Sequence, residues 1–206
     1  MIHPAAAPAR PSYARLRAGD PPNTLATEAV AALGAERGRA LDLGAGALAD
    51  SRLLLRAGFA VTAVDCDPHS AALAGEVDDP DFTFVAADIR DVAIAPGAYR
   101  LILALHLLPM FERAEVDVLV PRIVAGLVPG GVLATTFFGT RDGWAGRRPK
   151  MTFLSRPGIE ALFADLEPLS LAERSYDGTD ATGRPKRWQV FRCLFRKPAA
   201  RTGSGS

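Results

Sequence analysis

An α/β fold, in which a mostly parallel β-sheet carries helices on both faces, is what this sequence predicts. From Ala40 onward, short β-rich runs alternate with helical runs, a pattern typical of a covered parallel sheet. The chain then ends in two strand-like runs joined by the polar, glycine-rich segment DGTDATGRP. This pair predicts a hairpin, which places one antiparallel strand near the C-terminus.

The elements follow one another in a regular order. Residues 1–20, rich in Ala, Pro and Arg, predict a flexible segment or a lid, in which Tyr13 could close over a ligand. Asn23 or Thr24 is expected to cap a first helix in NTLATEAVAAL. The strand-like runs are ALDLG, VTAVD, FTFVAAD, YRLILALHLL, VLATTFF, LEPLSLAERSYDG and KRWQVFRCLFRKP. The helical runs are ADSRLLLRAG, PHSAALAGEV, ERAEVDVLVPRIVAGL and SRPGIEALFADL, the last capped at Ser155.

Length and composition predict one domain, at residues 21–198, followed by a disordered tail at 199–206. The 24 basic and 23 acidic side chains nearly cancel, so no nucleic-acid-binding surface is expected. No apolar run approaches the length of a membrane span, and we expect no membrane partner. Cys66 and Cys193 lie far apart without metal-ligand spacing, which indicates free thiols in a cytoplasmic protein and no metal site.

The segment LDLGAGALAD predicts a ligand loop between a strand and a helix. Gly44 and Gly46 allow a tight turn, and backbone N–H groups and the helix dipole then converge on a ligand. The segment also satisfies the dinucleotide pattern, with Asp65 about twenty residues on, so a nicotinamide cofactor is one alternative. Asp42 argues against it, because a carboxylate repels a pyrophosphate and favours a cation such as a sulfonium or an ammonium.

Five segments in register resemble the class I S-adenosylmethionine-dependent methyltransferases: LDLGAGALADS, VTAVDCDP, VAADIRD, LILALHLLPMF and LVPGGVLATTFFG. The C-terminal part is similar to a bacterial small-molecule branch that includes the tellurite-resistance and thiopurine methyltransferase-like proteins. The resemblance implies a Rossmann-like three-layer α/β/α sandwich with a seven-stranded sheet. It also implies S-adenosyl-L-methionine as cofactor, S-adenosyl-L-homocysteine as product, and a small-molecule acceptor bearing a thiol, selenium or tellurium, amine or hydroxyl nucleophile.

The resemblance also implies roles for individual residues. Asp42, Gly44 and Gly46, with Ala45 between them and Asp50 beyond, would surround the methionine part of the cofactor, and Asp65 would accept hydrogen bonds from the ribose. The adenosine would be contacted by Cys66, Asp67, Asp88 and Ile89, while Leu105 and His106 would face the reacting methyl group.

Several alternatives stay open at this point. His106 is the candidate general base, or else a wall of the pocket. Leu48 replaces the family's third glycine, which motivates the alternative of a cofactor-binding protein that transfers no methyl group. The basic run RDGWAGRRPK is either a solvated loop or a lid that draws in an anionic substrate through Arg141, Arg147 or Arg148. The chain is expected to be a monomer or a homodimer.

Overall fold

The computed structural model describes residues 12–199 of the chain. This part contains eight strands and six α-helices. The strands are β1 (Arg39–Leu43), β2 (Ala60–Asp65), β3 (Phe82–Ala86), β4 (Tyr99–Ala104), β5 (Leu127–Gly139), β6 (Phe153–Leu154), β7 (Glu167–Thr179) and β8 (Pro185–Arg196). The helices are α1 (Tyr13–Leu16), α2 (Thr24–Ala32), α3 (Ala49–Arg56), α4 (Pro68–Ala74), α5 (Arg113–Gly126) and α6 (Arg156–Leu162).

The sheet has the order β3-β2-β1-β4-β5-β8-β7. Strands β1 to β5 are parallel, whereas β8 is antiparallel to both of its neighbours, β5 and β7. This arrangement confirms the α/β prediction and the single antiparallel strand near the C-terminus. One strand was not predicted: β6 pairs with the end of β5 through only two residues, too few to leave a pattern in the sequence.

Two layers of apolar side chains lie on opposite faces of the sheet. One face packs mainly against α5 and α6, with Phe137 and Ile159 fully buried in it. The other packs against α2 and α3 through Leu25, Leu54 and Leu103. Covering a sheet on both faces buries its middle strands almost completely, which explains their continuous apolar sequences.

The predicted helix starts are confirmed where a side chain provides the cap. The Asn23 side chain accepts the backbone N–H of Leu25 at 2.9 Å and begins α2. Ser155 caps α6 in the same way, through the backbone N–H of Gly158. The predicted strand YRLILALHLL is too long, because β4 ends at Ala104 and His106 has a φ of 54°, which no β-strand accommodates.

Both ends of the chain extend beyond the residues that the structure describes. Residues 12–20 of the predicted N-terminal segment contain α1, which packs against α4. Residues 1–11 and 200–206 lie outside the described residues, and with them most of the predicted tail and the rest of the predicted lid. Among residues 12–199, no helix is both long and apolar enough to cross a membrane.

Candidate active site

The glycine loop after β1 leaves an open surface at the carboxyl edge of the sheet. Gly44 has a φ of +72°, and a Cβ there would lie 2.9 Å from Leu107 Cδ1, so this position requires glycine. Gly46 has a φ of +50°, and a Cβ there would meet nothing closer than a backbone oxygen 3.9 Å away. The loop therefore exposes backbone atoms to a groove, and none of the loop's side chains fills that groove.

Leu48 adopts the left-handed conformation, with φ 63° and ψ 17°, at the N-cap of α3. Its side chain is fully buried in a small apolar cluster with Ala63 and Ala74. Leu48 is not among the residues that line the groove. The Leu48 side chain, at the position of the family's third glycine, thus points into the core and leaves the groove open.

Asp42 lies behind the loop and is only 3% exposed. Its carboxylate accepts a 2.6 Å hydrogen bond from Ser51 Oγ. Burial raises the pKa of Asp42 to about 7, and repulsion from Asp50 and Asp65 adds to the rise, while the Ser51 hydrogen bond opposes it. Asp50 lines the groove itself, and burial raises its pKa also, although it accepts the backbone N–H of Asn23 at 2.7 Å.

Asp65, at the end of β2, connects two loops through its carboxylate. One oxygen accepts the backbone N–H of Gly46 at 2.7 Å, and the other accepts that of Asp67 at 2.8 Å. Each carboxylate oxygen can accept two hydrogen bonds, so capacity for two further donors remains. Asp67 itself caps α4 and accepts a hydrogen bond from Ser12 Oγ, which ties the residue preceding α1 to this edge of the sheet.

The structure brings six of the predicted site residues together in one groove: Gly44, Ala45, Gly46, Asp50, Leu105 and His106. Residues that the sequence reasoning did not assign complete the lining: Arg17, Asp20, Pro21, Asn23, Ala47 and Ala49. Tyr13, from α1, lines the groove as well, in the position where a lid was expected. Arg17 and Asp20 form an ion pair at 2.6 Å beside it.

Six predicted residues lie outside the lining of this groove: Asp42 and Asp65, described above, and Cys66, Asp67, Asp88 and Ile89. The Asp88 carboxylate is paired with Arg90, whose guanidinium lowers the pKa of that carboxyl. Ile89 is 5% exposed and belongs to the core below the sheet. Cys66 is an exposed free thiol whose pKa is raised by partial burial and by nearby carboxylates. Their adenosine contacts remain predictions.

His106 stands at the carboxyl end of β4 with its backbone N–H donated to Thr136 Oγ1 at 2.7 Å. The amide Nδ2 of Asn23 lies 3.4 Å from its Nε2. Because the Asn23 oxygen accepts the backbone N–H of Leu25, the amide nitrogen faces His106, and Nε2 is the acceptor. His106 is exposed to solvent on one side. The protein around the rest of the ring excludes water and lowers the pKa of His106, and repulsion from Arg17, Arg192 and Lys186 adds to the effect. The imidazole is therefore neutral at pH 7.

A second cavity, of about 260 Å³, opens on the far side of His106. Asn23 and His106 line both this cavity and the groove, so the two spaces meet at these side chains. The remaining lining comes from the three strands at this end of the sheet: Thr136 of β5, Arg174 and Tyr176 of β7, and Val190 and Arg192 of β8. We call this space the acceptor-side cavity.

The basic run after β5 is held in place by an unusual lysine. Lys186 Nζ lies 2.9 Å from Asp142 Oδ1, in an alignment that makes the contact an ion pair without hydrogen-bond geometry. The same ammonium lies 3.1 Å from the ring centre of Trp188 and 3.7 Å from that of Trp144. Burial lowers the pKa of Lys186. The three arginines of the predicted lid line neither space: Arg141, Arg147 and Arg148.

The strand residues that line the acceptor-side cavity were not predicted from the sequence, and they share one property. They lie on alternate positions of paired strands, since Thr136 is opposite Arg192 and Val190 is opposite Arg174. The hairpin was predicted, but its register was not, and register decides which face carries the arginines.

Comparisons with known proteins agree with this geometry. Residues 40–131 match the family model described as "Methyltransferase domain". A search of the curated proteins finds no match to this sequence.

Solved structures with the same fold include three bacterial proteins. TehB from Haemophilus influenzae is 20% identical with a TM-score of 0.71, over 85% of this chain and 62% of that one. The chain thus spans less than two thirds of TehB. The 1,6-didemethyltoxoflavin-N1-methyltransferase of Burkholderia thailandensis, solved with 1,6-didemethyltoxoflavin and S-adenosylhomocysteine, is 21% identical with a TM-score of 0.67, over 85% and 77% of the two chains. The N-methyltransferase NodS from Bradyrhizobium japonicum, solved with S-adenosylhomocysteine, is 20% identical with a TM-score of 0.67, over 92% and 94%.

The family match runs from β1 to the start of β5, the part of the chain that contains the glycine loop and the parallel strands. Residues 40–131 thus match a methyltransferase domain, and the chain shares its fold with solved methyltransferases that bind S-adenosylhomocysteine.

Proposed function

We propose that the enzyme methylates a small molecule bound in the acceptor-side cavity, with S-adenosylmethionine in the groove over the glycine loop. One observation carries the proposal: the two spaces meet at Asn23 and His106, where a methyl group could pass from one ligand to the other. Methyl transfer from a sulfonium requires a nucleophile in line with the methyl carbon, so two adjoining sites are the geometry that the reaction needs.

The groove suits an adenosyl cofactor that carries an amino acid. Gly44 and Gly46 leave backbone surface open, and Asp65 retains capacity for two hydroxyl donors. The amino acid part would meet Asp50 with its ammonium and Arg17 with its carboxylate. When bound, the cofactor supplies an activated methyl group. We propose that Tyr13 and the rest of α1 cover it.

The chain's own contribution on the acceptor side is positioning and electrostatics. Desolvation lowers the pKa of His106, and repulsion from three nearby cations adds to it: Arg17, Arg192 and Lys186, each of which also pairs with a carboxylate. The positive potential that remains favours an acceptor nucleophile that reacts as an anion or a neutral lone pair, such as a thiolate, over a protonated amine. For an acceptor that must lose a proton, the neutral Nε2 of His106 is the group within the cavity able to take it, once Asn23 yields its contact.

The alternative of a cofactor-binding protein without transfer activity was motivated by Leu48. The buried position of that side chain, away from the groove, removes the steric reason for inactivity and supports a working transferase. The family match likewise favours a methyl donor over a nicotinamide cofactor. The two free cysteines, one exposed and one buried, suit the reducing conditions of the cytoplasm.

Calorimetric titration with S-adenosylhomocysteine, with NADH as the comparison ligand, tests the cofactor assignment. We expect binding of the first ligand only, weakened at least about tenfold in Asp65→Asn because two hydroxyl contacts lose a charged acceptor. Asp165→Asn, at an exposed position, is the matched control and should bind like the parent. Binding of NADH, or equal binding in Asp65→Asn, would contradict the proposal. Methyl release to a panel of thiols, amines and phenols then identifies the acceptor.

A further inference from the structure

The polar groups that face the acceptor-side cavity are nearly all hydrogen-bond donors. Thr136 Oγ1 already accepts the backbone N–H of His106, so its hydroxyl proton is left for a ligand. The Asn23 amide presents its nitrogen, because its oxygen is used at the start of α2. Arg174 and Arg192 can only donate. A cavity of this composition suits a ligand rich in acceptor atoms.

The two arginines of the cavity differ in whether neighbouring side chains already compensate their charge. Arg192 Nη1 donates to Thr24 Oγ1 and Nη2 pairs with Glu28 Oε1, each at 2.8 Å. These contacts fix Arg192 against α2 and compensate its charge. Arg174, by contrast, makes no side-chain hydrogen bond or ion pair within residues 12–199. Its guanidinium thus keeps its full charge and all of its donors at the cavity wall.

The strand register defines how far Arg174 lies from the reacting end. Thr136 is opposite Arg192, which is opposite Ala172, and Arg174 follows two residues later on the same face of β7. Two strand spacings and two residues along the strand place the Cα atoms of Thr136 and Arg174 about 12 Å apart. The reach of an arginine side chain shortens this span. A small organic molecule can therefore touch both ends.

A neighbouring aromatic residue completes this end of the cavity. Tyr176 follows Arg174 by two residues, on the same face, and its ring stacks on Trp188 at 6.4 Å with an interplanar angle of 21°. The stack gives the far end of the cavity a firm wall and places a tryptophan next to it, which can report on ligand binding.

We propose that Arg174 binds a carboxylate of the methyl acceptor, so that the acceptor carries its nucleophile at the His106 end and its anionic group at the β7 end. The inference rests on the proposed function, because it assigns the acceptor of that same reaction. Arg174 acts as a specificity-determining residue, since a bidentate guanidinium–carboxylate contact selects for charge and for planar geometry.

Binding to the complex with S-adenosylhomocysteine tests this proposal. Carboxylates of rising size, acetate, butyrate and benzoate, are titrated against the corresponding amides while tryptophan fluorescence is recorded. We expect at least one carboxylate to bind more tightly than its amide by about tenfold or more, the usual size of a charge-assisted pair. Arg174→Gln should abolish this preference, and Arg174→Lys should restore part of it, because charge is kept and the fork is lost.

Arg187→Gln provides the matched control. Arg187 belongs to the same hairpin but alternates onto the opposite face of the sheet, where it lies 3.5 Å from Asp177. It should keep the carboxylate preference of the parent. Equal binding of every carboxylate and its amide, or an equal loss in Arg187→Gln and Arg174→Gln, would overturn the assignment.

Measuring cofactor binding distinguishes a wrong role for Arg174 from a wrong proposed function. All variants should bind S-adenosylhomocysteine like the parent, since Arg174 lines only the acceptor-side cavity. If S-adenosylhomocysteine does not bind to any of them, the proposed function itself fails. If it binds and the carboxylate preference is missing, only the role of Arg174 is refuted.

Discussion

Replacing Asp42 with asparagine should make the protein more stable and a poorer binder of its cofactor. Asp42 is buried behind the glycine loop, and burial raises its pKa to about 7 from the ordinary value of 3.8. A carboxyl whose pKa is raised on folding favours the folded state least when it is ionised, so its contribution to stability is lost as the pH rises from about 4 towards 7. Asparagine has the same shape and carries no charge to desolvate.

The size of the effect follows from the shift of about three pKa units, which corresponds to about 4 kcal/mol when the carboxyl is fully ionised. At about pH 5 the folded carboxyl is mostly protonated, and the gain from asparagine is only about 2 kcal/mol. The gain in the free energy of unfolding should therefore grow by about 2 to 3 kcal/mol between about pH 5 and about pH 8.

Urea unfolding of the parent and of Asp42→Asn at both pH values measures this difference. Comparing two pH values cancels any constant effect of the amide on packing. Calorimetry on the same samples should show weaker binding of S-adenosylhomocysteine, because one negative charge near the proposed position of the cofactor's ammonium is lost. Ser51→Ala is the informative companion, since losing the hydrogen bond should raise the pKa of Asp42 further. Parallel pH profiles for parent and Asp42→Asn would refute the reasoning.

Other substitutions have equally definite expected outcomes. Leu48→Gly relieves a left-handed backbone but removes a buried side chain, so urea unfolding should show a net loss of about 1 to 4 kcal/mol with cofactor affinity nearly unchanged. Lys186→Met leaves the buried Asp142 carboxylate unpaired and should cost about 3 to 5 kcal/mol in the same assay, part of which a second change, Asp142→Asn, should recover. Asparagine tolerates the positive φ of position 106, so His106→Asn should preserve the backbone. The substitution should lower the methylation rate of acceptors that must lose a proton about a hundredfold, while thiolates are methylated nearly as before. In the parent, turnover of those acceptors should stay flat from about pH 8 down to about pH 6, because the imidazole is already neutral there. Tyr13→Ala should speed dissociation of S-adenosylhomocysteine in stopped-flow measurements.

Local features of the chain could be predicted from the sequence because their causes lie within a few residues. Asn23 begins α2 by accepting an N–H two residues ahead, and Gly44 is required by its own turn. The mostly parallel sheet with helices on both faces followed from the alternation of strands and helices, together with the resemblance to a known family. The groove over the glycine loop was predicted in this way, while the contact of Asp65 with a ribose stays a prediction.

The acceptor half depends on contacts between residues far apart in the chain. Arg174 reaches the cavity because β7 pairs with β8 in one particular register, and a slip of one residue would turn its side chain to the other face. Nothing in the sequence distinguishes Lys186 from a surface cation, yet its side chain is buried against Trp188 and Asp142. The direction of the Leu48 side chain, into the core, also depends on packing against α4 and β2.

The match to the family ends at residue 131, whereas Thr136 and every residue that β7 and β8 contribute to the acceptor-side cavity come later in the chain. On the proposed assignment, donor chemistry and acceptor choice are encoded in consecutive stretches of sequence, and the two spaces meet at Asn23 and His106. Since β7 is the last strand of the sheet, its outer edge carries no further strand in residues 12–199, and its side chains can change without disturbing the glycine loop. Relatives with the same first half and a different hairpin are therefore expected to share a methyl donor and to differ in what they methylate.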